Sequence, residues 1–359
     1  MSTPQSITRL YGLGLTPGKL RGLQRISNAN GTLTMVATDQ NSSMISMMKA
    51  ASGKDPTYSE IADAKVMLSR ALSPHCSGLL VDGYYGFSST VAAFAVPPST
   101  GLLVRVEMSG AKKNAAGAPC GEVEPGWSVG KIKRCGADAV KLLAQFEPDE
   151  FDSAEKNFEF TRQIYNECIK HDILFLLEPI HFAYNGEKDD SPSKLKRKAK
   201  TVIESARILS RYCDVYKSEF PGTFGTETDA QLKDNLKKLN DVCAKPWVLL
   251  SAGVDYPQYK KQVEMAMAAG ASGVLGGRAF WKEFFTYTSA AERQKFAETE
   301  CTQRVMEVDA IVKGATPWFA KYGYTLNDLH SIRATEGWHA RYGGGTAGGP
   351  AKVDEGGVY

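Results

Sequence analysis

Lys141, Glu178 and Lys217 each stand in or at the close of a short apolar run, where a charged side chain needs a reason. The run Asp214-Val-Tyr-Lys-Ser-Glu-Phe-Pro221 poses the problem most sharply. Val215, Tyr216 and Phe220 favour a strand and Pro221-Gly222 stops it, yet an ammonium sits in its middle. Such a lysine is either paired with a carboxylate as part of the framework, or desolvated until its amine is a nucleophile. An amine neutral near pH 7 attacks a ketone to form a Schiff base, and the protonated imine draws electrons from a carbon–carbon bond two atoms away. Lys141, if brought near, depresses the pKa of Lys217, its plainer role being electrostatic support. Glu178 is suited to moving protons during carbinolamine dehydration and bond cleavage, with a salt bridge to either lysine as the plain alternative.

Bringing these side chains together requires a framework, and the chain supplies alternating strands and helices. The apolar runs are Thr32–Ala37, Gly78–Val81, Thr100–Glu107, Ala139–Gln145, Ile173–Leu177, Val215 onward, Trp247–Leu250 and Gly273–Leu275. Helical patterns between them cover Tyr58–Leu72, Ser153–Lys170, a stretch reaching Tyr212, Asp229–Val242 and Tyr259–Ala269. The runs are continuously apolar rather than alternating, which is the mark of strands buried on both faces of a parallel sheet. The reading is α/β, a (β/α)8 TIM barrel over residues 1–334, with an N-terminal helix at about 16–28 and extra C-terminal helices after Ser289. The glycine-rich end, 335–359, is expected to be a tail.

A barrel of this kind gathers its chemistry at the C-terminal ends of its strands. Those ends carry Asp39, Asp82, Glu107, Lys141, Glu178 and Lys217, then Ser251-Ala252-Gly253 and Gly276-Gly277-Arg278. The last two segments suit an anion, through backbone N–H groups and the Arg278 fork, although their glycines also suit a tight turn. Asp39 with Gln40, and Asp82, are expected to bind sugar hydroxyls or to orient a lysine, a helix cap being an equal alternative for Asp82. His181 is a further substrate-binding candidate, against the ordinary reading of an incidental loop histidine.

Other signals are negative. The net charge of +3 gives no reason to expect nucleic acid, and the apolar runs are too short for a bilayer span. The polar start is unlike a secretory leader, so a cytoplasmic protein is expected. Seven scattered cysteines without a C-x-x-C pair, and five histidines without H-E-x-x-H, suggest neither disulfides nor metal, and no cofactor is expected. Gly12, Gly14 and Gly18 follow no strand and do not make a dinucleotide fingerprint. The charge run Lys194–Lys200 reads as a solvated helix start.

The motifs Ala37-Thr-Asp-Gln40, Leu80-Val-Asp82, Gly136-Ala-Asp-Ala-Val-Lys-Leu142, Leu177-Glu-Pro179, Val215-Tyr-Lys217 with Glu219, Trp247–Val254 and Ala269–Ala279 form an ordered set. Together they resemble the class I tagatose-1,6-bisphosphate aldolases and the related sulfofructose-phosphate aldolases. The resemblance implies a metal-free barrel in which Lys217 forms the Schiff base, Glu178 is the acid/base, and Lys141 and Asp39 support it. It places the phosphate or sulfonate at Ser251–Gly253 and Gly276–Arg278. Asn41, where the family commonly has arginine, and Ser218, where it has valine, are departures that touch the sugar more than the imine. The expected activity is cleavage of a ketose phosphate or bisphosphate to dihydroxyacetone phosphate and a three-carbon aldehyde, by a homo-oligomer. A transaldolase on the same site and a non-catalytic sugar-phosphate-binding regulator are the competing readings.

Overall fold

The chain is described by a computed structural model covering residues 7–343, so most of the expected tail lies outside the described residues. Within 335–343 a short helix, Trp338–Arg341, is formed. Eight strands run in chain order: β1 (Leu33–Ala37), β2 (Gly78–Asp82), β3 (Gly101–Arg105), β4 (Ala139–Gln145), β5 (Leu174–Ile180), β6 (Val215–Ser218), β7 (Trp247–Leu250) and β8 (Gly273–Gly276). Each pairs parallel with the next, and β8 returns to β1, closing the barrel.

Strand periodicity sorts the side chains. Leu33, Met35 and Ala37 of β1, Leu174 and Leu176 of β5, Val215 of β6 and Leu275 of β8 fill the interior. Val36, Phe175, Leu177, Tyr216 and Val274 point outward into the layer shared with the helices. The same parity carries Lys141, Glu178 and Lys217 inward, one or more steps above the apolar floor.

The expected N-terminal helix, Pro17–Arg25, closes the lower end, with Leu23 and Ile26 joining Leu10, Leu15, Trp318 and Phe319 beneath the floor. The Arg25 carbonyl lies where any side chain at Gly101, the first residue of β3, would collide with it. The closing seam depends on Gly273, whose φ of 150° and whose approach to the Leu33 carbonyl leave no room for a Cβ.

Three differences from the sequence expectation bear on the site. The third strand stops at Arg105 rather than Glu107, because the chain then turns to pair Glu107 with Val123 in an antiparallel bridge. The loop 109–126 folds into a hairpin, Lys112–Lys113 against Pro119–Cys120. A helix that periodicity did not reveal, Ser42–Ser52, follows β1 directly. Among the described residues no helix is long and apolar enough to cross a membrane.

Candidate active site

A cavity of about 750 Å³ opens at the C-terminal ends of the strands. Of the residues expected at a site, Asp39, Gln40, Lys141, Glu178, His181, Lys217, Ser251, Ala252, Gly253, Gly277 and Arg278 line it. Asp82 and Gly276 do not.

The cavity floor is an ionic cluster set by neighbouring strands. β4, β5 and β6 are consecutive, so Glu178 of β5 stands between Lys141 and Lys217. One oxygen of Glu178 lies 2.8 Å from the Lys217 ammonium and the other 3.0 Å from that of Lys141. Lys141 also reaches Asp39 and Glu107, each at 3.0 Å, so three carboxylates converge on one ammonium. All of these side chains are buried, Lys141 at 2% and Lys217 at 3% exposure.

As expected, Lys141 helps to depress the pKa of Lys217, whereas Lys141 itself is not depressed. Burial works against a charge on Lys141, but Asp39, Glu107 and Glu178 outweigh it and hold its pKa above the ordinary lysine value. For Lys217 burial prevails. Its pKa is lowered by desolvation and further by Lys141, with Glu178 opposing. One lysine stays cationic while the other is eased toward the neutral amine. Burial likewise pushes Asp39 upward, but Lys141, Lys217 and Arg105 hold its carboxyl well below the usual range. Glu107 differs, because there burial raises its pKa against the pull of Lys141 and Arg105. Its Oε2 has no hydrogen-bond partner among the described residues.

Arg105 escaped notice in the sequence, and Glu107, though named at a strand end, was given no role. Arg105 reaches from β3 across β2 to donate to the Asp39 carbonyl at 2.8 Å. Asp82 closes the intervening strand. Its carboxylate is engaged instead by Lys65 at 2.7 Å and by the N–H groups of Tyr84 and Tyr85 at 3.0 and 2.7 Å. Asp82 therefore closes the turn after β2 and does not cap the helix Phe87–Ala92, whose N-cap is Gly86 with no side-chain bond. Lys65, fully buried, also donates to the carbonyls of Thr38 and Gln40, on either side of Asp39. Gly276 is turned toward Phe280 and Tyr259 rather than the cavity.

On the β7 and β8 side, Ala252 and Gly253 both adopt left-handed φ, 48° and 76°, in a tight turn that the Val254 N–H closes onto the Ser251 carbonyl at 3.1 Å. The Arg278 guanidinium packs against Gly253. Ser251 accepts from the Gly277 N–H at 3.2 Å, so that N–H is already engaged.

On the adjoining wall, at the ends of β5 and β6, Glu219 accepts from the His181 N–H at 2.8 Å and contacts its Nδ1 at 2.8 and 2.9 Å. Burial raises the Glu219 pKa, but His181 and Lys198 reverse this and hold it below the ordinary glutamate value. The run Lys194–Lys200 is not simply a solvated helix start. Lys194 and Lys198, four residues apart on the helix Pro192–Leu209, both line the cavity. Among the described residues no group of three His, Cys, Asp or Glu side chains is arranged to hold a metal ion.

The profile of the DeoC/LacD family aldolases matches residues 33–283. A tagatose 1,6-diphosphate aldolase of Listeria monocytogenes serotype 4a is 32% identical over 340 residues, covering 89% of this chain and 98% of its own. Its counterpart from Streptococcus agalactiae serotype V is 30% identical over 329 residues, covering 85% and 99%. Among solved structures, an archaeal fructose 1,6-bisphosphate aldolase superimposes with a TM-score of 0.56 at 17% identity, covering 83% of this chain and all of that one. The fructose-bisphosphate aldolase of Plasmodium falciparum gives 0.65 at 13% identity, covering 88% and 99%. At those identities the structural likeness speaks for the barrel.

Proposed function

The chain belongs to the DeoC/LacD family of aldolases, and from that premise we propose that Lys217 carries the Schiff base of a class I aldolase acting on a ketose bisphosphate of the tagatose 1,6-bisphosphate kind. The observation that carries the assignment is Glu178, one carboxylate shared between a lysine held cationic and a lysine eased toward neutrality.

The neutral Lys217 amine adds to the C2 carbonyl, and proton transfer to the oxygen gives the carbinolamine. Glu178, within hydrogen-bond reach of Lys217, takes the proton that Lys217 gives up on becoming neutral and returns it to the carbinolamine hydroxyl, which departs as water and leaves a protonated imine. Removal of the C4 hydroxyl proton by the resulting carboxylate lets that oxygen form the aldehyde carbonyl. The C3–C4 bond electrons pass to the imine as an enamine. Protonation at C3 and hydrolysis then release dihydroxyacetone phosphate and restore the amine. Lys141 remains charged throughout and stabilises the oxygens on which negative charge develops. The Arg278 guanidinium beside the turn at Ala252–Gly253 is suited to the C1 phosphate.

Borohydride reduction in the presence of dihydroxyacetone phosphate should add the mass of the reduced adduct at Lys217, and Lys217→Met should abolish it. Glu178→Gln should lower kcat by about 10²–10⁴. Cleavage without an added acceptor aldehyde separates an aldolase from a transaldolase. Trapping at another lysine, or none with an active preparation, would remove the assignment.

A further inference from the structure

Six cationic side chains line the cavity: Arg105, Lys141, Lys194, Lys198, Lys217 and Arg278. Four are matched by carboxylates, Arg105 by Glu107, Lys141 by three acids, Lys194 by Asp189 at 2.6 Å, and Lys217 by Glu178. Lys198 and Arg278 have neither an ion pair nor a hydrogen bond among the described residues. A cavity that leaves two of its cations uncommitted is complementary to two negative groups.

The two cations occupy different walls. Arg278 follows β8, and Lys198 rides on the helix that leads from β5 to β6. In the barrel order β6 and β7 separate β5 from β8, with Lys217 on β6 between them. Three strand spacings of about 4.8 Å give roughly 14 Å along the wall, and the chord across the mouth is shorter. An extended six-carbon chain with an oxyanion at each end fits that span. Beside Lys198, His181 is held by Glu219 through Nδ1, which leaves its other ring nitrogen without a partner among the described residues. The same Glu219 feels the charge of Lys198, which ties the two side chains to one locality.

We infer that Lys198, with the outer ring nitrogen of His181, forms a second oxyanion subsite that holds the distal phosphate or sulfonate of a two-ended substrate. Arg278, beside the Ala252–Gly253 turn, holds the group at the other end. The orientation rests on the imine assigned to Lys217, but the subsite is tested without it. Hexitol phosphates have no ketone and cannot form an imine, so their binding reads the anion sites alone.

Calorimetric dissociation constants for hexitol 1,6-bisphosphate and hexitol 1-phosphate should differ by about tenfold or more in the unmodified protein, the worth of one charge-assisted contact. Lys198→Met should shrink that ratio to about twofold or less, and Lys198→Arg should keep most of it, since a guanidinium also binds an oxyanion. A 6-sulfonate analogue identifies the source, because whichever of the two bisanions gains more over the 1-phosphate is the distal group the subsite fits. Equal affinity for one-ended and two-ended ligands, or a ratio indifferent to Lys198→Met, would overturn the subsite. Borohydride trapping of dihydroxyacetone phosphate, which has no distal group, is read separately. Its loss with the hexitol ratio intact would remove the imine and leave the subsite standing.

Discussion

Lys141 and Lys217 are buried to nearly the same depth, so desolvation alone does not explain why their pKa values move in opposite directions. The carboxylates do. Lys141 collects Asp39, Glu107 and Glu178, whereas Lys217 touches only the far oxygen of Glu178 and faces the Lys141 charge besides. A test follows at the level of single side chains. Lys141→Met removes a cation that lowers the Lys217 pKa, so more Lys217 is protonated at a given pH and the acid limb of imine formation should move to higher pH. Glu178→Gln removes an anion that raises it, and the limb should move to lower pH. Both variants should lose about 10²-fold or more in rate at neutral pH. The pH profile of borohydride trapping distinguishes this coupling from mere disorder, which would lower the amplitude and leave the limb where it was. For Asp39 the linkage has the other sign. Its folded pKa is depressed, so the stability it contributes is present above the unfolded carboxylate value near 4 and is lost only as pH falls below it.

The loop after β1 shows how an element outside the cavity governs one inside it. Lys65, on the helix Tyr58–Leu72, donates to the Thr38 carbonyl at 2.6 Å and the Gln40 carbonyl at 2.9 Å while paired with Asp82. Asp39 is thereby fixed between two clamped carbonyls. Lys65→Met leaves a buried carboxylate unpaired and should cost about 3–5 kcal/mol in a urea titration. Lys65→Met with Asp82→Asn should recover part of that loss, because the amide oxygen still accepts from Tyr84 and Tyr85 without carrying a charge; no recovery would mean that the clamp on the carbonyls, not the ion pair, is what matters. Sequence legibility divides along the same line. Lys217 and Glu178 stood out because an apolar strand exposes a misplaced charge. Lys65 and Lys198 did not, since a lysine on an amphipathic helix looks alike whether its polar face meets water or a cavity. The four-residue spacing of Lys194 and Lys198 was the available signal, but it gains meaning only when the helix is seen beside the mouth of the barrel.

At the scale of the whole barrel, eight continuously apolar runs were enough to give the strand count and the parallel order, because burial on both faces is written into each run separately. Contacts that cross strands were not written anywhere locally. The reach of Arg105 over β2 to the Asp39 carbonyl depends on β1, β2 and β3 lying side by side. The hardest of these to foresee is the last seam, where β8 meets β1. Gly273 sits there at φ 150°, and a Cβ would fall 1.9 Å from the Leu33 carbonyl oxygen. Neither partner has room to yield, since the Leu33 N–H is bonded to the Ser272 carbonyl at 2.9 Å and Leu33 is itself packed in the floor. The backbone strain alone is worth about 1–3 kcal/mol, and relieving the contact means parting the seam. Gly273→Ala should therefore lose at least about 3 kcal/mol of stability in urea. With β1 displaced, Asp39 is drawn away from Lys141, so trapping at Lys217 should fall in the fraction that still folds. Wild-type stability in this variant would mean that β1 and β8 do not close the barrel in the register Leu33 to Gly273.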